Sequence, residues 1–124
     1  MSFDWSQFPS LAQDLSKAVF RNSTEEARFR SAISRAYYAA LHCARKRLLA
    51  EGPRVFSSVH QDVPKAFRDS HDKARKRIGN QLNQLLLSRR KADYDDDFPG
   101  LPHERDRVLK QASEIIDSLR NLRG

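Results

Sequence analysis

The chain has 124 residues, of which 39% are hydrophobic and 31% charged, with one cysteine and four glycines. That suits one small domain over residues 1–124, excludes a two-domain enzyme, and leaves Cys43 without a second thiol for an internal disulfide. Twenty-three Lys and Arg against sixteen Asp and Glu give a net +7, which favours nucleic acid, an anionic membrane or an acidic partner and says nothing about fold.

The first residues, Met1 to Pro9, lack the basic and apolar regions of a secretory signal, so a reducing, cytoplasmic setting is expected. Beyond Pro9 and Ser10, Leu11, Leu15, Ala18 and Val19 recur at helical spacing and predict a first helix. Ser23 with Glu26 reads as a capping box for a second, ended by Gly52 and Pro53. Within Ser23 to Glu51, Phe29, Ile33, Ala36, Tyr37, Ala40, Leu41, Ala44 and Leu48 form one broad apolar stripe. At 1.5 Å per residue this spine is roughly 40 Å long. In residues 53–69, Ser57 and Ser58 offer a cap, but Pro64 removes a backbone donor and predicts a helical turn on either side of it. A further helix is expected from about Asp72 to Ala92, with Ala74, Ile78, Leu82, Leu85, Leu86 and Arg89 on one side and Gly79 weakening it slightly. After a loop from Asp93 to Leu101, Pro102 opens a last helix carrying Val108, Ala112, Ile115, Ile116, Leu119 and Leu122. No alternating β-branched runs occur, so the fold class is all-α, an antiparallel bundle of four to five helices. Arg or Lys interrupts every helical segment, and no stretch nears the ~18 apolar residues of a membrane span, so no membrane partner is expected.

The charge is concentrated. Residues 65–91 hold nine Lys or Arg against Asp69 and Asp72, a local +7 equal to that of the whole chain. Lys73, Arg75, Lys76 and Arg77 stand at one end of the Asp72–Ala92 helix and Arg89, Arg90 and Lys91 at the other, so either a phosphate backbone tracks along it or the run is a solvated face. There is no Gly-rich phosphate loop, no His-Glu-x-x-His, no Cys-x-x-Cys and no serine nucleophile elbow. Cys43 follows His42 directly and points about 100° away from it, which suits a small packed residue better than a nucleophile. Asp93, Asp95, Asp97 and Glu104 fall at positions 1, 3, 5 and 12 of a calcium loop, but Phe98 stands where that loop needs Gly, and Pro99 and Pro102 stiffen it. A plain acidic turn is the simpler reading, and no metal is expected. Arg35 and His42, seven residues apart, project within ~20° of each other with Tyr38 between them. They suit either a cation paired with a general acid or base, or a polar seam hydrogen-bonded to Tyr37 or Tyr38. His60, beside Ser57 and Ser58, reads as a residue of the capping region.

Taken together, Ser34-Arg35-Ala36-Tyr37-Tyr38-Ala39-Ala40-Leu41-His42, then His60 after a Gly-containing turn, then Arg89-Arg90-Lys91-Ala92-Asp93-Tyr94-Asp95 resemble the small stand-alone prokaryotic branch of the HEPN superfamily, over about Phe29 to Phe98. The resemblance implies a helical bundle, usually a homodimer, found in toxin–antitoxin pairs, phage defence and RNA processing. Many members are metal-independent ribonucleases whose Arg-x(4–6)-His motif, contributed by both protomers, forms a composite cleft for RNA. Others lack catalysis and pair with a minimal nucleotidyltransferase. Arg89 matches the motif arginine, but the residue five positions on is Tyr94, and a phenol with a pKa of about 10 is a poor base at neutral pH. Arg35 and His42 meet the spacing as Arg-x(6)-His on the earlier helix. The candidate cleft is therefore Arg35, His42, Arg89, Asp93 and Tyr94, with His42 reaching toward Arg89 across the bundle. RNA is expected on Lys73, Arg75, Lys76, Arg77, Arg90 and Lys91, and no cofactor is implied. The resemblance also implies that Tyr94 is a modification site, since partner nucleotidyltransferases adenylylate a tyrosine in this region of some members. The alternative is a structural tyrosine whose hydroxyl ties the helix end to the core.

Overall fold

The computed structural model describes residues 25–122, so the helix expected after Pro9 and the Ser23 cap lie outside the described residues. Four helices follow in order: α1 (Glu25–Glu51), α2 (Val59–Arg68), α3 (Lys73–Tyr94) and α4 (Leu101–Arg120), with no strand among the described residues. α1 packs on α3 and α4, α4 also touches α3, and α2 lies chiefly on α3. The four-residue link between Arg68 and Lys73 folds α2 and α3 into a hairpin. The fold is thus an all-α bundle, and no described helix is long and apolar enough to cross a membrane.

All eight stripe residues predicted for the spine are buried in α1, together with Ala32 and Ala39. They meet Ile78, Leu82, Leu85 and Leu86 of α3 and Val108, Ala112, Ile115 and Leu119 of α4 in one continuous core. Ala74, assigned to the apolar side of α3, is exposed. Glu25 and Glu26 in the first turn of α1 complement its helix dipole. Gly100, at φ 69°, adopts the left-handed backbone that reverses the chain into α4, and Pro102 sits in the first turn as predicted.

Three local readings change. α2 runs unbroken through Pro64, where two separate turns were expected. The ring deletes one N–H bond, to the His60 carbonyl, at a cost of roughly 3 kcal/mol. Val63 and Phe67 are fully buried, and at roughly 1.5–3 kcal/mol for each large apolar side chain their burial offsets that loss. Ser58 is the N-cap residue, yet its side chain makes no capping bond. Instead Asp62 reaches back, its Oδ2 accepting from the N–H groups of Ser57 at 2.8 Å and Ser58 at 3.1 Å. Gly79, read as a weak point of α3, is a close approach: a Cβ there would lie 2.6 Å from Arg68 Cγ and N and 2.7 Å from the Pro64 carbonyl. The α2–α3 hairpin closes this tightly because that Cβ is missing.

Candidate functional site

Three helices bring polar groups together around Arg89. This arginine lies in α3 four residues before Asp93, so one helical turn stacks the two side chains, and its Nε is 2.8 Å from Asp93 Oδ2. That contact is an ion pair set off the N–H axis, because Nε has no aligned acceptor. From α1, Tyr38 accepts a hydrogen bond from Arg89 Nη2 at 3.0 Å, and the guanidinium carbon lies 5.4 Å from the Tyr38 ring and 5.9 Å from that of Tyr94. From α2, His60 stacks on Tyr37 at 5.7 Å and meets Tyr38 edge-on at 5.8 Å. The adjacent Tyr37 and Tyr38 thus both touch the His60 ring, and Tyr38 alone also accepts from Arg89.

Tyr37 and His60 share a 2.7 Å hydrogen bond between the hydroxyl and Nδ1. The hydroxyl is fully buried and finds no other partner among the described residues. Burial, reinforced by Tyr38, pushes the Tyr37 pKa far up, so the phenol stays protonated. A buried hydroxyl that only accepted would strand its own proton, so Tyr37 donates to Nδ1, and the His60 proton sits on Nε2. Burial first, then the charges of Arg89 and Arg90, lower the His60 pKa and keep this ring neutral at pH 7.

The end of α3 is fixed from across the bundle. Arg30 Nη1 donates to the carbonyls of Asp95 at 2.6 Å, Ala92 at 3.1 Å and Lys91 at 3.3 Å, while Nη2 reaches the Asp96 carbonyl at 3.3 Å. Glu26 holds the same guanidinium from behind, accepting from Nε at 3.1 Å. One arginine therefore ties the last-turn carbonyls of Lys91 and Ala92 to those of Asp95 and Asp96 just beyond the helix, and so sets the turn that carries Asp93 and Tyr94.

Of the five residues assigned to the cleft, the structure gathers Arg89, Asp93 and Tyr94. Arg35 is exposed on α1 and makes no ion pair among the described residues. The imidazole within the field of Arg89 is His60; the charge that acts on His42, after burial, is Arg45, and both lower its pKa. The Tyr94 side chain is 73% exposed, so its hydroxyl does not tie the helix end to the core. Of the six basic residues assigned to RNA, Arg75 has a structural task. It donates to Glu51 through Nη1 at 2.7 Å and Nη2 at 2.8 Å and lies 4.9 Å over the Phe67 ring. Glu51, at the end of α1, is consequently pushed down to about 2, chiefly by the Arg75 hydrogen bonds. Lys73, Lys76, Arg77, Arg90 and Lys91 are exposed and form no ion pairs among the described residues.

The calcium-like spacing dissolves in space. Asp93 serves Arg89, while Glu104 is paired with Arg107 and accepts from Ser88 at 3.0 Å. Among the described residues no three His, Cys, Asp or Glu side chains gather as metal ligands. Sequence reasoning missed the roles of His60 and Arg30. His60 carried a signal in its place after the Tyr37-Tyr38 pair, whereas nothing local marks an arginine whose acceptors lie more than sixty residues away.

No curated protein and no solved structure matches the chain. The HEPN domain family matches residues 13–122, nearly the full length, and the described residues form the helical bundle such a match calls for, so this chain belongs to the HEPN family.

Proposed function

We propose that the chain is an RNA-associated HEPN protein of a prokaryotic toxin–antitoxin or phage-defence system, which holds RNA by its phosphates without cutting it at the Arg89 cluster. The observation that carries this is the pairing of a built polar cluster, Arg89 with Tyr38 and His60, with the unpaired neighbouring cations Arg90 and Lys91. Cations that spend no charge on carboxylates are the ones available to phosphate, and each contact displaces counterions. Cleavage needs a general base. His60 has its basic nitrogen occupied by the Tyr37 proton, and Tyr94, five residues after Arg89, is a phenol. Incubation of single-stranded RNA with the protein in a chelator should leave the RNA intact. Cleavage that Arg89→Ala and His60→Ala both abolish would overturn the non-cleaving part of the proposal.

One observation favours a second role, as a partner module for a minimal nucleotidyltransferase: Tyr94 presents its phenol to solvent at the end of α3, flanked by Asp93, Asp95, Asp96 and Asp97. The homodimer that the resemblance implies belongs to the same proposal. Nucleotide transfer to the wild type but not to Tyr94→Phe, when a nucleotidyltransferase is supplied, would establish that role.

A further inference from the structure

An open groove of about 410 Å³ runs between α2 and α3. Its lining includes His60, Asp62, Lys65 and Arg68 from α2 and Asn83 and Arg90 from α3. The three cations come from two helices and three different turns, yet none forms an ion pair among the described residues. This sets them apart from Arg30, Arg47, Arg75, Arg89 and Arg107, each of which has a carboxylate partner. The one carboxylate in the groove, Asp62, has its Oδ2 committed to the Ser57 and Ser58 amides at the start of α2. With His60 neutral, three positive charges against one negative leave the lining at +2.

Such a concentration of like charge is unfavourable in an unliganded protein, and the hairpin enforces it. Gly79 lets α2 approach α3 beside Arg68, so that Arg68 and Lys65 stand across the groove from Arg90. The donors also suit an oxyanion. Two guanidinium forks and an ammonium supply charged N–H groups, the Asn83 amide adds a neutral pair, and His60 has only Nε2–H left to offer. The fields of Arg89 and Arg90 at His60 report the same positive potential from inside the protein.

We propose that this groove is a binding site for a single phosphate group, held by Lys65, Arg68 and Arg90 with the Asn83 amide and the His60 ring completing the donor set. The site is separate from the Arg89–Asp93 pair, whose cation is already neutralised. Only the naming of RNA as the source of the phosphate rests on the proposed function, and that source is either an internal phosphodiester or a terminal monoester.

Isotope-labelled protein titrated with inorganic phosphate at low salt tests the site directly. Phosphate should move the His60 ring and Asn83 side-chain resonances, and the variant combining Lys65→Gln with Arg68→Gln, which keeps the aliphatic stems, should weaken that binding about tenfold. An oligoribonucleotide made with a 5′-phosphate and with a 5′-hydroxyl then identifies the source. Equal losses of about tenfold in the double variant assign an internal phosphodiester, and a loss confined to the phosphorylated strand assigns a terminal phosphate. The proposal is overturned if phosphate moves no groove resonance, or if the double variant binds phosphate as the wild type does. Phosphate binding in the groove with neither oligoribonucleotide bound would leave the site standing and remove RNA as its source.

Discussion

Substituting Gly79→Ala sets two physical effects against each other with opposite signs. Helix propensity alone favours alanine by about 1 kcal/mol in the interior of α3. The structure opposes it, because the new methyl would lie 2.6 Å from Arg68 N and Cγ and 2.7 Å from the Pro64 carbonyl, where ordinary contact begins at 3.4 Å. Two of these three atoms are backbone, so rotating a side chain cannot relieve the clash, and α2 must retreat by about 0.8 Å from α3. Overpacking of this kind costs roughly 1–3 kcal/mol, and here it also loosens Val63 and Phe67 against the core. The expected net effect is a destabilisation of up to about 2 kcal/mol, a fall in Tm of up to roughly 8 °C for a chain of this size. Thermal and urea unfolding of the two proteins measure it. A variant more stable than the wild type by about 1 kcal/mol would refute the close-approach reasoning, because it would show helix propensity acting unopposed.

Three further outcomes follow from the contacts described. Glu51 has its folded pKa depressed, chiefly by Arg75, so its stabilisation is present at neutral pH and is lost as pH falls from about 4.5 to about 2. Its side chain is still 22% exposed, which screens the pair; Glu51→Gln should therefore cost about 1–2 kcal/mol at pH 7 and progressively less as pH falls toward 2, as read from urea unfolding over a pH series. His60 should show nitrogen resonances of a neutral ring protonated at Nε2 at pH 7, and protonation at Nδ1 instead would contradict the donor role of Tyr37. Arg30→Met keeps the aliphatic stem but removes the donors to four carbonyls, and should destabilise the protein by roughly 1.5–3 kcal/mol while speeding hydrogen exchange at the Asp95 amide. Unchanged exchange there would show that Arg30 does not cap α3.

The sequence made the helices legible because burial in a bundle imposes a 3.6-residue period, and the α1 stripe from Phe29 to Leu48 obeys it without exception. What it concealed was the work done between helices. Pro64 and Gly79 look like defects when each helix is considered alone, yet one is buried in a continuous α2 and the other permits the α2–α3 contact. Arg75 looked like part of a basic run because its partner, Glu51, lies twenty-four residues away at the end of another helix. In the candidate site, Arg89, Asp93 and Tyr94 were reached through the family resemblance, and the i, i+4 spacing of Arg89 and Asp93 on one helix is what lets the pair form. The imidazole was not legible, since Arg35 and His42 satisfied a spacing rule along α1 while His60, on a separate helix, occupies the place beside Arg89.

Salt dependence of binding to a labelled single-stranded oligoribonucleotide, measured in chelator by fluorescence anisotropy, tests RNA association most directly. The wild type should bind at about 50 mM salt and weaken steeply as salt rises, and replacing Arg90 and Lys91 together with alanine should flatten the slope of log K against log salt by roughly 1–2. Absence of binding at low salt, or a slope that the double replacement leaves unchanged, would contradict a phosphate-holding role for this face of the bundle.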